Sequence, residues 1–238
     1  MSQELSDIDE VHVYYHDEDL IVVEKPSGML VHPYKSRSGQ RKNLMKVVRD
    51  QIGQYVYPVH RLDRPVSGPV IFGLNGKVVR EIKEAWHNTE TIKEYIILCL
   101  GEIKDSGTYD FTLKGPRGDR QKALTEFWPI ENFGSEFSLL KVRIHTGRKH
   151  QIRRHFCRTR HNLVGDTTYG KGVENNLFKE KYGLERIFLH CCRLELVHPR
   201  KNELISTRSF LPENLKNVLV KMDCSKETLT QVCGDENS

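Results

Sequence analysis

One carboxylate stands among cations in this 238-residue chain: Asp63, in His60-Arg61-Leu62-Asp63-Arg64-Pro65-Val66-Ser67-Gly68. From Gln51 to Arg80 it is the only acid, with Arg61 and Arg64 close on either side. Nearby cations favour the ionised form of a carboxylate. Such a group suits a nucleophile or an electrostatic stabiliser better than a general acid. The same residues also read as an exposed Arg-Asp-Arg ion-pair cluster, with Pro65 and Gly68 supplying a turn. Ser67 reads as a turn hydroxyl, because no Gly-x-Ser-x-Gly elbow surrounds it.

A second concentration of chemistry lies between Lys141 and Arg160, where eight Lys/Arg and three His occur with no acid. It contains Arg148, Lys149, His150, Arg153 and Arg154. Taken as charge alone, such a block is either a solvated helix face or a polyanion-binding surface. The chain as a whole carries a net charge of +5. His150 and His155 are one residue out of the i, i+4 spacing that places two metal ligands on one helical face, so no metal is expected. The six cysteines include no Cys-x-x-Cys pair and read as buried free thiols of a reducing compartment. Tyr95, inside an apolar run, reads as a core residue on pattern alone.

The elements that must carry these groups follow from periodicity and punctuation. Leu20–Lys25 reads as a strand ended by a Pro-Ser-Gly turn, and Lys25-Pro26 and His32-Pro33 read as turn architecture. Asn43 is placed to cap a helix with Leu44, Val47, Val48 and Ile52 at helical spacing and Gly53 at its end. Strands are expected at Val70–Phe72, Tyr95–Leu100, Phe137–Ile144, Ile187–Val197 and Leu204–Phe210. Helices are expected at Lys77–Asn88, at Arg148–Arg160 with Ile152 and Phe156 inward, and after Pro212. Residues 105–122 read as a loop or irregular hairpin, and the chain from about Ser225 onward as frayed. Strands outnumber helices without strict alternation, which indicates an α+β fold. No apolar run approaches the ~20 residues that span a bilayer, and Met1–Glu10 holds four acids and no signal-peptide pattern. The expected location is the cytoplasm, without membrane association.

Six separated stretches together resemble one family, the RluA-type RNA pseudouridine synthases. They are Leu20–Pro33, the segment around Asp63, Lys93-Glu-Tyr-Ile-Ile-Leu-Cys-Leu-Gly101, Thr146-Gly-Arg-Lys-His-Gln-Ile-Arg153, Gly165-Asp-Thr-Thr-Tyr-Gly170 and Phe188–Pro199. They occur in the family's order, and Val66 departs from it where Thr is usual. The resemblance implies a mixed, mainly antiparallel sheet in two halves flanked by helices, with a central catalytic cleft and no S4-type RNA-binding domain. It implies an isomerase that turns uridine into pseudouridine, acting as a monomer without cofactor or metal, on a nucleotide flipped from the RNA. Asp63 then takes the role of nucleophile, attacking either uracil or ribose. Arg153 is its basic partner and Tyr95 stacks on the base and accepts a proton. Arg61 fills the gap left by the flipped base, and Arg64, Arg148, Lys149, His150 and Arg154 contact RNA. Finer resemblance, in Val48–Gln54 and Gly183–His190, points to the branch that acts on uridine 65 of tRNA. Competing readings are a ribosomal-RNA synthase, an RNA-binding protein without chemistry, and a hydrolytic uracil glycosylase.

Overall fold

The computed structural model describes residues 8–33, 42–86 and 91–234. The chain divides into two units, one holding Met1–Thr91 and Arg193–Ser209, the other Ile92–Cys192 and Phe210–Ser238.

The first unit opens with β1 (Val13–His16) and β2 (Leu20–Lys25), the latter with its apolar residues Leu20 to Val23 buried. Helix α1 (Leu44–Ile52) has the predicted caps: the Asn43 side chain accepts from the Lys46 amide, and Gly53 closes the helix at φ 66°. After β3 (Tyr57–Pro58) and the segment with Asp63 comes β4 (Gly68–Gly73), buried throughout, and then α2 (Gly76–Ala85). The expected end of that helix, Asn88, lies outside the described residues. The sheet order is β1-β2-β4-β3, antiparallel at every pairing. Its core joins Leu20, Val22 and Ile71 to Val78 and Ile82 of α2.

In the second unit β5 (Ile92–Leu100), β6 (Gly107–Tyr109), the two-residue pair β7 (Leu113–Lys114) and β8 (Arg120–Gln121), β9 (Thr125–Phe133) and β10 (Phe137–Ile144) follow in sequence. Strand β10 pairs with β5 on one side and β9 on the other, and β6 adds to β9, all antiparallel. Helices α3 (Gln151–Arg158) and α4 (Gly172–Tyr182) come next. Strand β11 (Leu189–Val197) leaves this unit at Cys192 and continues into the first, where it pairs with β12 (Leu204–Arg208). There it brings Leu194 and Leu196 to the first core, joined by Ile205 of β12. Arg200 and Lys201, in the turn between these strands, bind Asp19 and Asp17 at 2.5 and 2.7 Å. Helices α5 (Glu213–Lys221) and α6 (Lys226–Cys233) return to the second unit, whose core joins Ile96 and Leu98 to Phe178, Phe188, Leu215 and Leu219.

The α+β expectation holds, and the helix expected over Arg148–Arg160 is shorter, beginning at Gln151. The fraying expected from Ser225 does not occur within the described residues. Ser225 caps α6 and its hydroxyl and amide both donate to Glu131 of β9, at 2.8 and 3.0 Å. The thiols are free, but only Cys99, Cys191 and Cys224 are buried; Cys157, Cys192 and Cys233 are half-buried. No helix among the described residues is long and apolar enough to cross a membrane.

Candidate active site

Asp63 sits on a short turn closed by the Val66 amide, which donates to the Asp63 carbonyl at 3.0 Å. The turn is strapped to the end of β2. Lys25, fully buried, directs its ammonium to the carbonyls of Pro26 and Met29 at 2.9 Å and of Arg64 at 3.2 Å. The Gly28 amide donates to the same Arg64 carbonyl at 2.8 Å, and the Ser27 hydroxyl donates to the Pro65 carbonyl at 2.8 Å. On the other side His60 accepts the Ile71 amide through Nε2 at 3.1 Å and stacks on Trp86. The carboxylate is therefore presented, half-buried, from a backbone whose carbonyls are individually held. Lys25 and Ser27 belong to this support. Local spacing shows them only as a turn, since their partners lie 38 and 39 residues away.

The two flanking cations differ. Arg61 is exposed, and its charge joins burial in lowering the pKa of His32. Arg64 is also exposed, but its Nε donates to the Gly28 carbonyl at 2.9 Å, so part of its guanidinium serves the loop itself.

Tyr95 and Arg153 both belong to the second unit. Tyr95 lies mid-strand in β5 opposite Val142 and is 7% exposed. Strand alternation sends Ile96 and Leu98 into the core cluster and turns Tyr95 to the other face with Lys93. Lys93 is itself buried, and burial lowers its pKa.

Arg153 emerges from a start of α3 that is fixed by Gln151. The buried Gln151 amide accepts from the Thr146 hydroxyl and the Arg148 amide, and donates to the Leu124 carbonyl and the Thr125 hydroxyl, all within 2.7–3.1 Å. Two residues on, Arg153 is 4% exposed and makes a fork with Asp166, Nε to Oδ2 at 2.8 Å and Nη2 to Oδ1 at 2.7 Å. Burial pushes the Asp166 carboxyl up, but Arg153 and the amides of Tyr169 and Thr168 outweigh it and hold the pKa below the ordinary value. Gly165 makes this turn possible: its φ is +75°, and a Cβ there would collide with the Arg186 carbonyl. The Tyr169 ring lies 5.2 Å from the Arg153 guanidinium, and its hydroxyl is 3.1 Å from His150 Nδ1.

The remaining candidates gather ahead of and along α3. Arg148, Lys149 and His150 form the turn before it, with His150 in the left-handed region at φ 54°. Arg148 donates to the Lys122 carbonyl at 2.9 Å, Lys149 is exposed, and Arg154 donates to the Lys149 and Lys114 carbonyls. Asp166, Tyr169 and Gln151 are supports that sequence spacing did not single out; the letters of the Gly165–Gly170 and Thr146–Arg153 stretches were the available signal.

The family model for RNA pseudouridylate synthase matches residues 19–157, which include all three catalytic candidates. The chain belongs to this family. The synthase is 34% identical to "tRNA pseudouridine synthase C" of Vibrio cholerae serotype O1 over 230 residues, covering 88% of this chain and 94% of that one. It is 33% identical to the protein of the same name from Haemophilus ducreyi, over 86% of this chain and 92% of that one. Among solved structures, Human RNA Pseudouridylate Synthase Domain Containing 4 superposes with a TM-score of 0.70 at 20% identity, covering 89% and 93% of the two chains. Human RNA Pseudouridylate Synthase Domain Containing 1 gives 0.69 at 22%, covering 89% of each. The resemblance to the RluA type is thereby confirmed, and the synthase is an isomerase acting on RNA.

Proposed function

We propose that the synthase isomerises uridine 65 of tRNA, with Asp63 as nucleophile. The substrate rests on one observation: its curated relatives at 31–34% identity, over most of the chain, carry the name tRNA pseudouridine synthase C. The reaction breaks the bond from uracil N1 to ribose C1′ and forms one from C5 to C1′. The proton on C5 leaves to a base and N1 gains one, so the isomerisation balances without oxidant or cofactor. The uridine must first leave its stack and enter a pocket. Asp63 attacks the uracil ring or C1′ from its strapped turn. Arg153, held by Asp166, keeps positive charge available to stabilise that carboxylate. Tyr95 stacks on the base and accepts the C5 proton. Arg61 occupies the space left in the helix.

The test is modification mapping at nucleotide resolution on tRNA from strains with the wild-type protein, without it, and with Asp63→Asn. Asparagine keeps the shape but removes the charge and the nucleophilic oxygen. Position 65 is expected to lose pseudouridine in the deletion and in Asp63→Asn, while purified Asp63→Asn still binds the tRNA transcript. Turnover by that variant removes Asp63 from its role. A modified position 65 alongside a lost ribosomal site moves the substrate to ribosomal RNA.

A further inference from the structure

Four cations converge on one cavity in the second unit, and none of them makes an ion pair among the described residues. The cavity measures about 500 Å³, within the ~300–1,000 Å³ of clefts that hold small ligands. Lys114 and Arg120 reach it from the β7–β8 hairpin, Arg154 and Arg158 from α3, and Tyr169 from the turn after Asp166.

Elementary electrostatics opposes this arrangement. Lys114 stands directly opposite Arg120 in the pairing of β7 with β8, and like charges facing each other destabilise a strand pair. Arg154 and Arg158 are four residues apart on one helix, where like charges also repel. Yet the scaffold holds them in place. Arg154 bridges helix and hairpin through the carbonyls of Lys149 at 3.3 Å and Lys114 at 3.1 Å. Arg158 lies 4.5 Å over the Phe111 ring, and His155, between them, meets the Phe111 carbonyl at 3.2 Å. Two like-charge pairs aimed at one space are relieved by an anion that enters it.

We propose that this cavity binds a phosphodiester of the RNA backbone, using residues other than Asp63, Tyr95 and Arg153. The proposal rests on the reading of the chain as an RNA-modifying enzyme. Phosphate fits better than a base, because Tyr169 is the one aromatic lining the cavity and its ring already lies against Arg153; bases are held by free aromatic faces. Arginine forks match phosphate oxygens, and their charge-assisted bonds are the strong ones. Tyr169 is thus a wall shared by the cavity and Arg153, so the site fixes RNA beside a residue assigned to the chemistry.

The experiment measures binding of a tRNA transcript against salt for the wild type, Arg120→Gln, Arg158→Gln and Arg120→Lys. Each lost phosphate contact is expected to flatten the log–log slope by about 0.7–0.9. The two glutamine variants should show this, and Arg120→Lys should keep the wild-type slope. Because Arg120→Gln ends the repulsion with Lys114, its melting temperature in low salt should be equal to or above the wild type. An unchanged slope overturns the proposal, as does a fall in that melting temperature, which would make Arg120 a structural group. Millimolar inorganic phosphate that stabilises the wild type but not Arg120→Gln, with an RNA salt slope that the glutamine variants leave unchanged, would assign the cavity to a free phosphate ligand and overturn the backbone assignment. A wild-type protein that makes no pseudouridine in any RNA refutes the enzymatic reading, while the salt slope still decides the cavity.

Discussion

At the scale of single residues, Asp166 governs the basic half of the candidate site. It is a fixed partner of a nearly buried guanidinium, and breaking a buried ion pair by removing one member is strongly destabilising. Asp166→Asn keeps an oxygen for the Thr168 and Tyr169 amides but removes the carboxylate that forks onto Arg153. We expect a loss of about 3–5 kcal/mol at pH 7 by urea unfolding. The pH dependence has a definite sign. With its folded pKa below the unfolded value of ~3.9, Asp166 contributes its stability in full above that value and loses it as pH falls through the lower one. The wild-type and Asp166→Asn curves should therefore converge below about pH 4; parallel curves would refute the assignment. The motif around Asp63 and the family resemblance of Thr146–Arg153 are what single out Asp63 and Arg153 as candidates; alone, Arg153 reads as a solvent-facing helix charge, and its burial is not marked in the sequence. Lys25, Gln151 and Asp166 are not singled out, because each acts through partners 13 to 39 residues away that no local spacing records.

At the scale of elements, the outcome depended on whether a segment carries its own punctuation. Helix α1 is legible almost to the residue, since Asn43, Gly53 and a clean apolar stripe mark it. Helix α4 carries no such signal: among its eleven residues only Phe178 is buried, so no stripe exists to be read. Strand β9 is hard to read for a related reason, its alternation being shallow and broken by Pro129 at a shift in register against β10. Helix α6 is polar and short, and its order comes from Glu131, far away in sequence. Ser225→Ala removes both the cap to Thr228 and the hydroxyl bond to Glu131. Loss of an N-cap costs about 0.5–2 kcal/mol, so amides of α6 should exchange with solvent about two- to thirtyfold faster. Unchanged exchange would show that Val232 packing alone holds the helix.

At the scale of the whole molecule, the notable fact is that the chain visits the first unit twice. Leu194 and Leu196 are made late but belong to the core begun by Leu20 and Val22. Leu194→Ala should cost about 2–5 kcal/mol, and hydrogen exchange should show the loss in β2 and β4, more than 100 residues earlier. Full protection of those strands in the variant would contradict the shared core. The same threading sets an order on synthesis. As the polypeptide leaves the ribosome, the segment bearing Asp63 emerges first, yet the strands that complete its unit's core are not translated until Val197 and Arg208 have been added. The unit that carries Asp63 must wait, unfinished, while the whole of the intervening span from Ile92 to Cys192 is produced, and the second unit waits longer still, since Leu215 and Leu219 of its core follow Ser209.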